Sequence, residues 1–289
     1  MAERCLLIVN PAAGRRTARE DDVARCVDLL AAAGFDLVTR ETGLDGPDAV
    51  ELAAMARDQG YPTVIVAGGD GTVAAAAIPL LDRPVTLGIL PFGSWMNIAR
   101  GLGLPLSPVD AARVIARRRT RRCDVGEVEG KIFFETCGVG LDADIFGAAR
   151  LAERQRWGLA ARRIYRWAAR SPREIEVVVD EQVSRHEAVQ VLIVNSPYYG
   201  WAFPIVPSAD MTDGLLEVAV FPRLGRLQLL GVVLEIWLRG RPRTPPWIRR
   251  GQTVRISSSE RMPVHADGQI AGRLPVTVRC RAGALRVFA

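Results

Sequence analysis

The chain has 289 residues, more than one domain usually contains, which predicts two domains that each bury their own core. Hydrophobic residues make up 49% of it and charged residues 24%, a balance that excludes a disordered chain or a fibre. The net charge of +6 favours anionic partners, and arginines cluster at residues 113–122, 150–173 and 239–250.

The first 120 residues alternate short apolar strands with helical patterns. Strands are predicted at LLIV (6–9), FDLVTRE (35–41), TVIVA (63–67) and VTLGIL (85–90), with helical segments between them. This alternation is typical of a parallel sheet covered by helices. We therefore predict a Rossmann-like α/β domain over residues 1–122.

The rest of the chain follows a different pattern. Segments such as EIEVVVDEQVSRHEAVQVLIVN and GLLEVAVF alternate apolar and polar residues and are joined by turns, which indicates antiparallel sheet. Two segments have helical spacing instead, at residues 157–168 and 227–238. We predict a β-sandwich-like domain over residues 123–289 with two helical insertions, and thus an α/β plus β fold class. The segment 227–238 falls short of the roughly 20 apolar residues that a bilayer span needs.

A glycine-rich loop follows the third predicted strand. Gly68, Gly69, Asp70, Gly71 and Thr72 stand between that strand and an alanine-rich helical segment. Glycines let backbone amides approach an anion, and the following helix adds the positive end of its dipole, so phosphate is the expected ligand. A carboxylate repels phosphate, so the aspartate would serve a cation or a proton. The alternative is an ordinary glycine turn with a solvated aspartate.

Two further loops are predicted at the same edge of the sheet. Residues 10–16, NPAAGRR, follow the first strand, and residues 91–97, PFGSWMN, follow the fourth. In an open α/β sheet the loops after the carboxyl ends of the strands line one crevice. We therefore expect the three loops to face a common ligand, with an ordinary turn as the alternative for the first of them.

Together these blocks resemble the diacylglycerol kinase catalytic family, which includes bacterial lipid kinases and is related to sphingosine kinases. The resemblance rests on NPAAG, on GGDGT after an apolar strand, and on PFGS followed by NIARGLGLP. It continues through CGVGLDADIF, VPSADMTDGLLEVAVF and HADGQ, and so covers nearly the whole chain. It implies an amino-terminal nucleotide lobe, a carboxyl-terminal β-sandwich lobe that binds the lipid acceptor, and ATP with Mg²⁺ held between them.

The resemblance also implies which residues contact the nucleotide. They lie in the three loops and, on a less distinctive block, in the loop after the second strand: Asn10, Pro11, Gly14, Thr42, Gly68, Gly69, Asp70, Gly71, Thr72 and Ser94. The chain has no Walker motif, and its one lysine is Lys131, which excludes a lysine-based phosphate clamp. Backbone amides, Mg²⁺ and Arg15 or Arg16 are expected to hold the phosphates instead.

A metal site is implied within residues 207–216, where bacterial members have the pattern P-x-A-x-x-x-D-G-L-L. It transfers to the side chains of Asp210 and Asp213 and to the backbone of Leu215. Two acids three residues apart can share one hydrated cation. The alternative is a turn, because Asp213-Gly214 before an apolar strand is a strong hairpin signal.

Two aspartates are candidates for the general base that accepts the proton of the acceptor hydroxyl. The family's aspartate followed by glycine transfers to Asp267, whereas the sphingosine kinase branch gives the role to the aspartate of the glycine loop, here Asp70. Both assignments stay open. His265 is near in sequence, but a lone histidine in a strand is more often structural.

The chain departs from the commonest family pattern in two places. The third loop usually continues as Thr-x-Asn-Asp, whereas here Ser94 keeps the hydroxyl and Trp95-Met96-Asn97 displaces the amide by one residue. Contacts made there by asparagine are therefore expected to be lost or reshaped. The residue after Asp-Gly is frequently glutamate in the family and is Gln269 here, which removes a carboxylate near the proposed base.

These features predict ATP- and Mg²⁺-dependent transfer of the γ-phosphoryl group to a hydroxyl of diacylglycerol or a related lipid. An NAD kinase-like nucleotide kinase is the nearest rival, since such enzymes also use GGDGT, although no second ribose-recognition block is found. A non-catalytic lipid- or nucleotide-binding member of the fold is the other. A Rossmann dehydrogenase is disfavoured, because no G-x-G-x-x-G follows the first strand.

The expected partners are a lipid substrate and an anionic membrane surface, with no nucleic acid, and the sequence leaves a homodimer open. Five scattered cysteines and the lack of a secretory signal predict a reduced, cytoplasmic protein, peripheral at the inner face of the membrane. Several aromatic residues are candidates to border the acyl chains, with core packing as the alternative: Phe146, Trp157, Tyr198, Tyr199, Trp201 and Phe203.

Overall fold

The computed structural model describes residues 2–13, 16–43, 46–140, 158–159, 173–199, 203–204, 206–222 and 247–289. These residues form two compact units. The first is drawn from Met1–Asp124 and Ala282–Ala289, and the second from Val125–Tyr199 and Phe203–Arg281. The two predicted helical insertions, at 157–168 and 227–238, lie outside the described residues except for 158–159.

In the first unit, strands and helices alternate. The elements are β1 (Glu3–Val9), α1 (Arg16–Ala32), β2 (Phe35–Glu41), α2 (Ala49–Asp58), β3 (Thr63–Gly68), α3 (Asp70–Ala77), β4 (Thr86–Pro91), α4 (Asn97–Gly101), α5 (Pro108–Ala116) and the start of β5 (Thr120–Val128). The strands lie in the order β2-β1-β3-β4, and every pair is parallel. A doubly covered parallel sheet requires apolar strands, and all residues of β3 and β4 are buried.

Packing and capping fix the helices of this unit. α1 and α5 share one core with the sheet, in which Leu30 and Ile115 meet Ile65 of β3. α2 begins with a reciprocal capping box between Asp48 and Glu51. Within the described part of the chain, no helix is long and apolar enough to cross a membrane.

Apart from a helical pair at residues 158–159, the regular elements described in the second unit are strands. They are β6 (Lys131–Phe133), β7 (Thr136–Gly140), β8 (Arg173–Val179), β9 (Gln182–Val194), β10 (Tyr198–Tyr199), β11 (Phe203–Pro204), β12 (Leu216–Pro222), β13 (Trp247–Gly251), β14 (Thr253–Ser258), β15 (Pro263–Ala266), β16 (Gln269–Arg273) and the start of β17 (Val276–Phe288). β9 pairs antiparallel with β8 over its first half and with β7 and β12 over its second half. Alternating inward valines and isoleucines fill the core between these strands. The predicted α/β plus β fold class is confirmed.

The carboxyl terminus is divided between the two units, whereas the sequence prediction keeps residues 123–289 in one domain. Residues 282–289 belong to the first unit, where Arg286 and Val287 of β17 pair parallel with Thr86 and Leu87 of β4. The sequence pattern identifies β17 as a strand, but periodicity does not tell which sheet edge a strand joins. The α/β sheet is therefore completed by residues that follow the whole β-rich segment.

Candidate functional site

The carboxyl ends of β1 to β4 lie at one edge of the first unit's sheet, because these strands are parallel neighbours. The amide of Asn10, just past β1, donates to the carbonyl of Ala67 at the end of β3 over 2.9 Å. The amide of Thr42, just past β2, donates to the carbonyl of Val9 over 2.9 Å. The loops that carry the predicted nucleotide residues thus begin side by side, and Gly14 and Arg15 lie outside the described residues.

Asn10 links the first loop to the glycine loop. Its side-chain amide donates to Thr72 Oγ1 over 2.7 Å, and its Oδ1 accepts from the amide of Ala12 over 2.9 Å. The asparagine therefore closes its own turn and fixes the first turn of α3 at the same time. Asn10 and Thr72, which the sequence separates by 62 positions, are in direct contact. Pro11 is exposed beside them.

Close backbone approach explains several of the glycines in these loops. A Cβ on Gly68 would lie 2.8 Å from Cβ of Thr72, and a Cβ on Gly93 would lie 2.7 Å from Cα of Gly69. Real Cβ atoms do not approach this closely, so the loop after β4 can touch the loop after β3 because residue 93 is glycine. Protein packing, and not a ligand, accounts for these glycines.

Gly71 is different, because no described atom lies within 4 Å of the position that its Cβ would take. Gly71 is exposed, and its backbone conformation does not require glycine. It stands in the first turn of α3, where the amides have no intrahelical acceptor and Gly69 provides no side-chain cap. Open space beside unsatisfied amides at a helix amino terminus fits a phosphate. The predicted glycine loop therefore has the geometry of an anion cradle.

Asp70 turns its carboxylate toward the loop after β4. Its Oδ1 accepts from the amide of Ile98 over 3.0 Å, so Asp70 caps the short helix α4. Burial raises the pKa of Asp70 above its usual range, while hydrogen bonds from the amides of Ile98, Asn97 and Met96 oppose that shift. A carboxylate with a raised pKa is a better proton acceptor than an ordinary aspartate.

The altered third loop has its own internal support. Met96 adopts a left-handed conformation, with φ of 50°, and its Sδ accepts from the amide of Gly93 over 3.1 Å. Asn97 is buried as the first residue of α4, whereas Ser94 and Trp95 are exposed. In the altered loop, the thioether of Met96 thus stabilises the turn. The sequence did not identify this role, since methionine is usually a packing residue.

Asp210 and Asp213 both form local turns in the second unit. Asp210 Oδ1 accepts from the amide and hydroxyl of Thr212, and Asp213 Oδ1 accepts from the amide of Leu215 over 3.0 Å. Gly214 follows with φ of 77°, so the turn predicted as the alternative is present. Each aspartate keeps its Oδ2 for a further partner, and for Asp213 that partner includes Arg250 at 3.8 Å.

Glu217 is a residue that the sequence prediction missed. It is buried in β12 with 2% exposure, and neither carboxylate oxygen has a hydrogen-bond partner among the described residues; the Ser208 hydroxyl lies nearby without hydrogen-bond geometry. Burial and then the charge of Asp213 raise the pKa of Glu217, and Arg250 opposes them. A glutamate inside the apolar run LLEVAVF was the available sequence signal.

The charges of Asp210 and Asp213 both act on Glu217, and among the described residues Arg250 is the one cation that opposes them, so the surroundings of Glu217 are more negative than positive. Carboxylate and carbonyl oxygens suit Mg²⁺, which usually keeps several waters and one or two carboxylates. Across the described ranges, no three His, Cys, Asp or Glu side chains converge on one ion position. The donor set therefore fits a largely hydrated Mg²⁺ and not a fully enclosed metal.

Asp267 occupies the turn between β15 and β16. Its two carboxylate oxygens accept from three successive backbone amides, those of Phe134, Glu135 and Thr136, over 2.7 to 3.0 Å. His265 is buried in β15, where it pairs with Gly138 of β7, which agrees with a structural role. Gln269 is exposed.

The aromatic residues proposed to border acyl chains are only partly described. Tyr198 is half-buried in the β10–β11 hairpin, where its backbone pairs with Pro204. The side chains of Tyr199 and Phe203, and all of Phe146, Trp157 and Trp201, lie outside the described residues. The acyl-chain path stays a prediction.

Comparison with known proteins gives matches to both parts of the chain. Residues 4–128 match the family model described as the diacylglycerol kinase catalytic domain. Residues 137–289 match the model described as the YegS C-terminal NAD kinase beta sandwich-like domain. The two matches together leave few residues uncovered.

Curated relatives extend over nearly the whole length. A diacylglycerol kinase of Mycobacterium tuberculosis is 30% identical over 271 residues, covering 88% of this chain and 85% of its own. A diacylglycerol kinase of Bacillus subtilis is 26% identical over 282 residues, covering 94% and 92%. A solved diacylglycerol kinase structure from Bacillus anthracis aligns with a TM-score of 0.78 at 25% identity, covering 99% and 96%.

Proposed function

This chain belongs to the diacylglycerol kinase family, and from that premise we propose that it transfers the γ-phosphoryl group of ATP to a lipid hydroxyl. The lipid class is diacylglycerol or a related long-chain alcohol, as the names of the relatives suggest. One observation carries the donor half of the proposal: the open, uncapped amino terminus of α3 beside Gly71. Two neighbouring loops hold that terminus in place, through Asn10 and Gly93.

The phosphates of ATP bind along the loops after β1, β3 and β4 in this proposal. Backbone amides of Gly71 and Thr72 face the phosphate oxygens, and the exposed Ser94 hydroxyl supplies a further donor. Thr42, at the end of β2, lies at the same sheet edge and completes the set. Phosphoryl transfer depends mainly on positioning and charge neutralisation; these neutral donors would supply the positioning, and the charge would be balanced by Mg²⁺.

Asp210, Asp213 and the Leu215 carbonyl would hold Mg²⁺ in this proposal, and water would supply its other ligands. When bound, the ion neutralises negative charge that develops on the transferred phosphoryl group. The two aspartates use Oδ1 for their local turns, which leaves Oδ2 of each as the atom that would face the ion.

A general base must take the proton of the acceptor hydroxyl. Asp70 meets the chemical requirement better than Asp267, because burial raises its pKa and favours proton uptake. The Asp267 carboxylate accepts from three amides of one segment and holds that segment in place. We therefore assign the proton to Asp70.

The lipid acceptor also brings the chain to a membrane surface. The net charge of +6 and the clustered arginines favour anionic headgroups over neutral ones. Co-sedimentation with vesicles of phosphatidylglycerol, compared with phosphatidylcholine vesicles, measures this preference. Equal binding to both would contradict it.

The full chain is incubated with γ-labelled ATP, Mg²⁺ and, separately, diacylglycerol, monoacylglycerol, a sphingoid base, undecaprenol or NAD. We expect label in an organic-phase lipid product. The rate of labelling should be about 10²- to 10⁴-fold lower in Asp70→Asn. The surface variant Asp58→Asn is the matched control and retains activity. Label in NADP alone would support a nucleotide kinase, and no label with any acceptor would support a non-catalytic binding protein.

A further inference from the structure

Asp267 and Gly268 form a two-residue turn between β15 and β16, with φ values of 43° and 75°. Both values lie in the left-handed region, as in the type I′ turns that Asp-Gly favours in hairpins. The turn directs the Asp267 side chain to the segment between β6 and β7. Its own amide also donates to the Thr136 carbonyl over 2.9 Å.

The carboxylate is fully engaged there. Oδ2 accepts from the amide of Phe134 over 2.7 Å, and Oδ1 accepts from the amides of Glu135 and Thr136, each over 3.0 Å. Three consecutive amides that converge on one anion form a nest. The three N–H groups hold the carboxylate in one orientation against residues 134–136.

The same segment holds the end of β9. The side-chain amide of Asn195 donates to the Phe134 carbonyl over 2.9 Å, and the backbone amides of Asn195 and Ser196 donate to the Glu135 carbonyl over 2.9 and 3.2 Å. Asn195 and Ser196 are buried. Asp267 fixes the amide side of residues 134–136, and the end of β9 binds their carbonyl side.

The β9 end connects this network to the acidic segment. Val194 is the register partner of Thr136 on β7 and of Glu217 on β12. Thr136, Val194 and Glu217 therefore form one row across three adjacent strands. Asp267 holds one end of this row, and Glu217 beside Asp213 stands at the other.

We propose that Asp267 is a positioning residue that sets the cation affinity of the segment 210–217 through the row Thr136–Val194–Glu217. The proton of the acceptor hydroxyl then goes to another group. This inference rests on the proposed function for the identity of the cation and the reaction. The structural part of it concerns the second unit alone.

The test uses full-length Asp267→Asn, because asparagine tolerates the left-handed turn while its amide nitrogen cannot accept a backbone N–H. Mn²⁺ is the probe, titrated without nucleotide or lipid, and hydrogen exchange is followed at residues 134–136 and 195–196. We expect Mn²⁺ affinity to fall about tenfold or more and exchange to accelerate at both places. Saturating Mg²⁺ should restore most of kcat, and the acid limb of the pH profile of kcat should persist.

The inference would be overturned if Asp267→Asn left Mn²⁺ affinity and hydrogen exchange unchanged. If this variant also lost kcat at every Mg²⁺ concentration and flattened the acid limb of the pH profile, Asp267 would be the base. Wild-type protein that binds no Mn²⁺ would overturn it as well. Wild type that binds Mn²⁺ but phosphorylates no lipid would reject the proposed function and leave the positioning result standing. If Asp267→Asn does not fold, Asn195→Ala disturbs the same network, and unaltered Mn²⁺ affinity in that variant contradicts the inference.

Discussion

The side-chain amide of Asn10 donates a hydrogen bond to the hydroxyl oxygen of Thr72 over 2.7 Å, and this bond joins the loop after β1 to the first turn of α3. The two residues are 62 positions apart in the sequence, so the bond ties together two loops that only the fold brings into contact. The two loops are thereby held in one arrangement before any ligand arrives. Such preorganisation lowers the ordering cost of binding.

Removing the Thr72 hydroxyl should weaken nucleotide binding with little effect on the fold. Thr72→Val keeps the shape of the side chain but leaves the Asn10 amide without its acceptor. We expect a loss of about 1 kcal/mol of binding, seen as an increase of about fivefold in KM for ATP. Thr72→Ser keeps the hydroxyl and is the control; a KM increase as large in this variant would show that the hydrogen bond is not responsible.

Gly71 and Gly93 should respond oppositely to alanine. Gly71→Ala meets open space and should leave the free energy of unfolding unchanged or raise it by up to about 1 kcal/mol. Its methyl group would fill the cradle, so ATP affinity should fall about tenfold or more. Thermal unfolding and nucleotide titration measure the two effects separately.

Gly93→Ala places its Cβ 2.7 Å from Cα of Gly69 and 2.8 Å from Sδ of Met96. We expect the free energy of unfolding to fall by about 1 to 3 kcal/mol, because a backbone atom must shift. A stable Gly93→Ala protein, or a Gly71→Ala protein with full ATP affinity, would contradict the proposed division between packing and ligand glycines. Denaturant unfolding monitored by circular dichroism tests the first case.

Asp70→Asn should raise stability at neutral pH while it removes activity. Burial raises the pKa of Asp70, so the folded state favours the protonated form. The protonated carboxyl therefore contributes its full share to the stability of the fold below the unfolded pKa of about 4. This stability is lost as the pH rises through the raised pKa of the folded state. The neutral variant avoids the loss, and its Oδ1 still accepts from the Ile98 amide. We expect its Tm to exceed that of wild type at pH 8, with the difference vanishing near pH 4.

Asp58→Asn provides the matched comparison, because the hydrogen bond from Arg57 lowers the pKa of the exposed Asp58. We expect no gain in Tm at pH 8 from this variant. A decrease in the Tm of Asp70→Asn at that pH would show that its carboxylate stabilises the fold. Burial of the Asp70 charge would then not lower the stability of the protein.

Glu217→Gln should uncouple stability from divalent cations. Ionised Glu217 is buried beside Asp213, so a bound cation relieves repulsion that the glutamine variant lacks. Differential scanning fluorimetry measures this effect. Addition of about 5 to 10 mM Mg²⁺ should raise the Tm of wild type more than the Tm of Glu217→Gln. Equal shifts in both proteins would place the cation elsewhere. Without cation and above the raised folded pKa, the variant should be the more stable protein.

The order of elements and the chemistry of the glycine loop could be predicted from sequence. The strand at 63–67, the glycines after it and the alanine-rich helix are consecutive residues, so their arrangement follows from local propensity and periodicity. The same holds for the turn at Asp213-Gly214, where the residue types specify the conformation. A sequence pattern identifies residues whose conformation depends on their neighbours along the chain.

The return of residues 282–289 to the α/β sheet, the thioether of Met96 and the isolated Glu217 carboxylate required the tertiary structure. So did the three amides on Asp267, which lie more than 130 positions away in the chain. Each depends on which distant segment packs beside a residue, and spacing along one chain carries no information on that. The sequence by itself thus determined the elements and the residue types of the glycine loop, whereas tertiary packing decided which backbone amides and charges surround each acid.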